Sequence, residues 1–254
     1  MTDATSAPAA TDASGTGGER VVVLVAIDDE AAPFLERAEH VGDPRRVGGS
    51  VHRSVVVDGL PLLLVKSGIG FVNAAGATTS AVLATGGRAE LVVSAGTAGG
   101  LGEGVEVGDV VVGSEYLNLD ADARVFGYQL GQVPGMPATY HADGRLLEAA
   151  LSLPLAADAG WHVRAGLLAS SYSFMTDHRS LAVRESFPAV AAADMESIAI
   201  AQISHVHGVP FLAVRGISDL AGVSAAEVHE ENLVPTAERS ATVALHVART
   251  LVGP

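Results

Sequence analysis

The chain has 254 residues, 15 basic against 29 acidic side chains, a net charge of −14, a 48% hydrophobic fraction and no cysteine. These values imply a sizeable buried core, exclude disulfides, thiolate metal sites and cysteine nucleophiles, and make a phosphate backbone a poor partner for so acidic a chain. No run reaches the ~18 consecutive apolar residues of a membrane-spanning helix, and the first residues lack the basic start and apolar centre of a signal peptide. The expectation is a cytoplasmic protein with neither nucleic acid nor membrane as partner.

Residues 1–18 are rich in Ala, Ser, Thr and Gly and hold no large apolar residue apart from the initial Met. Such a segment cannot bury enough surface to offset its ordering entropy, so it reads as a disordered tail. Residues 19–254 show no second linker and read as one domain. RVVVLVAI (20–27) is too short and too Val-rich for a typical helix and reads as a buried strand. SVHRSVVV (50–57) and LPLLLVKS (60–67) read as two strands joined by the hairpin dipeptide Asp58-Gly59. A helix over 73–85 follows, then strands over 89–96 and 108–117. After these come a strand (162–170), a helix (178–186), a strand (189–195), a helix (196–208), a strand (209–218) and a closing helix (237–252). The alternation predicts an α/β domain with a mixed, largely parallel central sheet flanked by helices.

In such sheets ligands gather beyond the carboxyl ends of the strands. Three of those ends carry acids: Asp28, Asp29 and Glu30; Asp194 and Glu196 around Met195; and Asp219. Each cluster alone could simply cap a helix and complement its dipole. A fourth end, SAGTAGGL (94–101), reads as a glycine-rich turn, and it lacks both the Walker lysine and the dinucleotide-binding spacing. Together, convergent carboxylates could supply a general acid, a general base and a diol-binding group. Cleavage of a glycosidic bond needs these, since the leaving group is protonated and water activated while an oxocarbenium-like centre develops. The histidines offer no metal site: His205 and His207 lie two apart on a predicted helix and face different ways. Trp161 reads as packing.

AIDDE (26–30), KSGIGFVNAA (66–75), SAGTAGGL (94–101), VGDVVV (107–112), FGYQLGQVPGMPA (126–138), ADMES (193–197) and VPFLAVRGISD (209–219) occur in this order. The sequence thereby resembles the 5′-methylthioadenosine/S-adenosylhomocysteine nucleosidases, part of the purine nucleoside phosphorylase and uridine phosphorylase superfamily. The resemblance implies a nucleoside phosphorylase/hydrolase-like fold and irreversible hydrolysis of an adenine nucleoside to adenine and a 5′-thioribose, in methionine salvage, with no cofactor and no metal. It makes Asp219 the general acid at the purine, oriented by Ser218, and Glu30 the base that activates water. Glu196 would accept hydrogen bonds from the ribose hydroxyls and Met195 would pack on the ribose. Phe174 would stack on adenine, with Met175 beside it, Ile27 in the pocket wall and Thr97 near the water or ribose. The block containing Phe126 and Pro134 resembles a loop that reaches a neighbouring subunit's site, which implies a homodimer with these two residues against the 5′-alkylthio group.

Several positions depart from the family pattern. Ile27 stands where Met is usual and Asp194 where Glu is usual. Tyr172, in SSYSFM (170–175), occupies an Asp position beside the purine, which bears on base recognition. GDPRR (42–46) looks like a phosphate element of bacterial nucleoside phosphorylases, but it lies away from the first strand's end and reads as a surface turn. The competing readings are a futalosine or aminodeoxyfutalosine nucleosidase, a phosphorylase, and a non-catalytic nucleoside-binding protein.

Overall fold

The computed structural model describes residues 19–222 and 224–253, so the expected tail over 1–18 lies outside the described residues. The chain runs β1 (Val21–Val25), α1 (Asp28–Glu36), β2 (Ala38–Val41), β3 (Arg45–Val47), β4 (Ser50–Val57), β5 (Leu60–Lys66), α2 (Phe71–Ala84), β6 (Leu91–Gly100) and β7 (Val110–Asn118). A 3-10 turn (Arg124–Phe126) precedes β8 (Tyr140–His141), α3 (Gly144–Leu151), β9 (Val163–Ser170), α4 (Asp177–Ser186), β10 (Val190–Asp194), α5 (Ser197–His207), β11 (Phe211–Asp219) and α6 (Ala225–Val252).

All the strands join one mixed sheet in the order β10-β9-β7-β11-β6-β1-β5-β4-β2, with β3 on β4 and β8 on β7. Its centre, β5-β1-β6-β11, is parallel, and so are β7-β9-β10. Antiparallel pairing of Ala192 with Gly100 and of Ala193 with Gly99 brings β10 back onto β6. Strands β6, β11, β7, β9 and β10 therefore close into a ring, while β1, β5, β4 and β2 extend from it as an open wing. The β4–β5 hairpin turns where expected. Asp58 and Gly59 both have positive φ (51° and 76°), and Val57 pairs with Leu60, as a two-residue turn requires.

Alternation along β1 sorts the two cores. Val21, Val23 and Val25 pack with Ala31 and Phe34 of α1, with α3 and with the later turns of α6. Val22 and Leu24 face Ala74, Ala77 and Ala81 of α2 and Ile198 and Ile200 of α5. Because both faces are covered, the central strands are apolar throughout. Trp161 packs at the edge of the first core, with Arg239 5.5 Å from its ring centre. GDPRR forms the β2–β3 connection and the start of β3, with Asp43 to Arg46 exposed. Among the described residues, no helix is long and apolar enough to cross a membrane.

Two expectations need correction. Residues 94–101 form no turn, because β6 continues through them to Gly100, pairing with β11 on one side and β10 on the other. The closing helix starts at Ala225, twelve residues before the expected 237, and passes through Pro235. Proline removes one amide donor and usually marks a boundary. Here packing carries the helix across it: α6 lies so close to β11 that a Cβ on Gly216 would overlap the backbone carbonyl of Thr236. Gly216→Ala should therefore push α6 off the sheet and cost ~1–3 kcal/mol, read as a lowered midpoint in thermal unfolding; an unchanged midpoint would contradict the close approach.

Candidate active site

A pocket opens where the carboxyl ends of β1, β6, β10 and β11 meet. Ile27, Glu30, Ile69, Thr97, Phe174, Met175, Met195, Glu196, Ser218, Asp219 and His229 line it, along with Asp194 and several small residues. Nine of the eleven expected site residues are in this lining. The other two, Phe126 and Pro134, are exposed and lie outside the pocket within a single chain.

Each acid cluster divides its work. Of the three acids after β1, Asp28 points outward to Lys66 at 2.6 Å and Asp29 is exposed, whereas Glu30 is buried. Glu30 is the third residue of α1, and its carboxylate folds back over the helix start, where the amides of Ala26 (2.8 Å) and Ile27 (3.4 Å) donate to Oε2. Its Oε1 accepts from the Thr97 amide at 2.9 Å and the Thr97 hydroxyl at 3.3 Å. The absence of a side chain at Gly96 leaves room for the carboxylate in this position. A Cβ on Gly96 would sit 2.6 Å from Glu30 Oε1.

Around Met195 the two acids separate completely. Asp194 accepts from the Ser197 amide and hydroxyl, the Ser170 hydroxyl and the Arg215 guanidinium, whose Nε lies 2.6 Å from Oδ2. Asp194 thus caps α5 and neutralises an arginine that is only 2% exposed. Glu196, released from capping, turns into the pocket, where its Oε1 accepts from the Gly70 amide at 2.9 Å. Burial, with the charges of Asp194 and Glu30 adding to it and Arg215 opposing, pushes Glu196 up to about 8.

At the end of β11, Asp219 Oδ1 accepts from the Ala221 amide at 2.8 Å, and the Ser218 hydroxyl lies 3.1 Å from Oδ2. His229 reaches the same place from α6, its Nδ1 2.8 Å from Ser218 Oγ, its ring edge-on to Phe174 with centroids 5.9 Å apart. The sequence reading missed His229 because the proline hid the first three turns of its helix. Tyr172 stands outside the lining. Its ring lies on Phe71 (4.5 Å) and its hydroxyl accepts from the Val72 amide at 3.0 Å, so it covers the start of α2 rather than entering the pocket.

The phosphorylase superfamily profile matches residues 20–253. A 5′-methylthioadenosine/S-adenosylhomocysteine nucleosidase of Geobacillus kaustophilus is 37% identical over 227 residues, covering 89% of this chain and 95% of that protein. The chain belongs to the phosphorylase superfamily, among its 5′-methylthioadenosine/S-adenosylhomocysteine nucleosidases. The nucleosidase of that name from Neisseria meningitidis, solved with methylthio-immucillin-A, has 36% identity and a TM-score of 0.85, covering 91% of this chain and 99% of its own. A futalosine hydrolase of Helicobacter pylori is 25% identical with a TM-score of 0.84, over 93% of this chain and 100% of its own.

Glu196 yields a test of the electrostatics in this nucleosidase without any substrate. A carboxyl raised above its unfolded value of ~4.3 holds extra proton in the folded state between the two values, so stability falls as pH rises across that window. Glu196→Gln has no such proton to lose. Its thermal midpoint should gain on that of the unmodified protein from pH 5 to pH 8; parallel curves would refute the buried, proton-holding state.

Proposed function

We propose that this chain hydrolyses the N-glycosidic bond of 5′-methylthioadenosine and S-adenosylhomocysteine, releasing adenine and a 5′-thioribose. The observation that carries the reading is the meeting of Glu30, Glu196 and Asp219, all buried, around a pocket whose lining, among the described residues, has no lysine or arginine. An acidic lining disfavours phosphate as nucleophile and suits water. Binding alone requires neither an acid nor a base, so the arrangement favours an enzyme over a nucleoside-binding protein.

The geometry supports a role for each group. Phe174 and Asp219 both neighbour His229, so a purine stacked on Phe174 presents its edge to Asp219. Asp219 protonates N7 of the leaving base, with Ser218 orienting the carboxyl. Glu30, held by four donors, positions water and takes its proton as the bond to C1′ forms. Met195 and Glu196 form the ribose platform. In ionised form Glu196 both accepts from the hydroxyls and stabilises charge at the oxocarbenium-like centre. Ile27 and Met175 supply apolar wall and Thr97 lies beside the water site. The reaction would belong to methionine salvage in the cytoplasm.

Adenine release from methylthioadenosine in phosphate-free buffer tests the proposal directly, and no release at micromolar enzyme would sink it. A requirement for phosphate would make the chain a phosphorylase. Preferential turnover of futalosine would favour the reading suggested by the less similar hydrolase. Asp219→Asn should lower kcat by ~10²–10⁴-fold while ligand binding persists; near-normal rates in that variant would remove Asp219 from the role of acid.

The exposed pair Val125 and Phe126 and the exposed Pro134 suit a second subunit, and the reading extends to a homodimer in which Phe126 and Pro134 cover the partner's 5′-alkylthio group. Light scattering should show a dimer. Phe126→Ala should raise KM for methylthioadenosine about tenfold, equivalent to ~1.4 kcal/mol of lost contact, with kcat little changed. A monomer at working concentration would exclude this arrangement.

A further inference from the structure

The proposed chemistry moves protons in two places at once. Each turnover takes a proton from Asp219 and leaves one on Glu30, so Asp219 must be recharged before the next. Asp219 is 2% exposed and Ser218 is fully buried, and a nucleoside in the pocket would screen both further. The side chain of His229 is 26% exposed. It is the one member of this hydrogen-bonded group that meets solvent.

The three groups form a chain. His229 Nδ1 lies 2.8 Å from Ser218 Oγ, and Ser218 Oγ lies 3.1 Å from Asp219 Oδ2. Ser218 has a single hydroxyl proton and three neighbours for it: Asp219 Oδ2, Ala98 O at 3.3 Å and His229 Nδ1. Which one receives it depends on the histidine. With a proton on Nδ1, His229 donates to Ser218, and the serine is then free to donate to the carboxylate. With Nδ1 bare, Ser218 can donate to His229, and a protonated Asp219 can donate to Ser218. The two arrangements differ by one proton passed along the chain. Among the described residues, Asp219 is the only acid with a carboxylate oxygen within 4.0 Å of a His229 ring nitrogen, and the Phe174 ring lies edge-on to it.

We propose that His229 is a positioning residue that recharges Asp219 from solvent through the Ser218 hydroxyl. This rests on the hydrolase reading above. In the step, the carboxylate Oδ2 takes the Ser218 hydroxyl proton while Ser218 Oγ takes the Nδ1 proton of a protonated His229. The neutral histidine left behind carries its proton on Nε2; rotation of the ring brings the bare Nδ1 to water, which protonates it, and the imidazolium turns back onto Ser218. Only N–H and O–H bonds change, and one proton passes from solvent to the acid.

His229→Phe keeps a ring against Phe174 and removes both nitrogens. In the methylthioadenosine assay it should lower kcat about 10-fold, at the weak end of the effects of acid–base groups, leave KM within about twofold, and alter the pH profile of kcat. His229→Ala should regain part of its rate when imidazole is added to the buffer. A packing role predicts the reverse: His229→Phe with the original kcat and pH profile, and His229→Ala indifferent to imidazole. Either of those results overturns the relay. If the unmodified chain releases no adenine, the hydrolase reading fails first. The coupling is then read by nitrogen-15 NMR of the histidine ring, where Asp219→Asn should change the balance of His229 tautomers set by the Ser218 hydrogen bond. No change there would overturn the link independently of turnover.

Discussion

The buried ion pair of Arg215 and Asp194 is the interaction on which the site depends. Two charges withdrawn from water cost several kcal/mol each unless they are paired and fully hydrogen-bonded, and here four of the five ring strands, with α5, contribute to that satisfaction. Asp194 ends β10 and takes donors from β9 (Ser170), α5 (Ser197) and β11 (Arg215). Arg215 in turn donates to the carbonyl and hydroxyl of Ser94 on β6. One guanidinium thereby ties together β6, β10 and β11, three of the four strands whose ends form the pocket.

The same pair governs Glu196. Arg215 is committed to Asp194, so the neighbouring acid is left buried with like charge nearby and a single amide donor from Gly70, and its proton is held accordingly. Glu30 sits in the opposite setting, surrounded by amides and a hydroxyl that all donate to it. Two glutamates in one pocket are thus given different environments by the backbone around them.

Much of this was legible from residue patterns. Strand and helix types followed from apolar runs and Ala-rich stretches, and Asp58-Gly59 announced its hairpin. Acids at strand ends indicated the pocket, and the question left open by Asp194, Met195 and Glu196 resolves into one capping acid and one facing the ligand. What escaped depended on long-range packing. The glycine-rich composition of residues 94–101 suggested a turn, yet pairing on both sides holds 94–100 as strand. Pro235 concealed the early turns of α6, and with them the position of His229, which reaches Ser218 at the end of β11. Tyr172 was identified as a departure beside the purine, but its aromatic contact with Phe71 draws it to the start of α2. A linear pattern cannot register that preference, because the two residues are about a hundred positions apart.

The space beside Gly96 has a consequence for how such a site tolerates change. Glu30 occupies the volume that any side chain at position 96 would need, so this function is supported by atoms that are missing as much as by atoms that are present. Surveys that look for important positions among reactive side chains would pass over it. Ile27 and Thr97 line the pocket with side chains that others of similar shape could replace, but at position 96 there is nothing smaller to choose. A residue with no chemistry of its own thus helps to set where the carboxylate of Glu30 can lie.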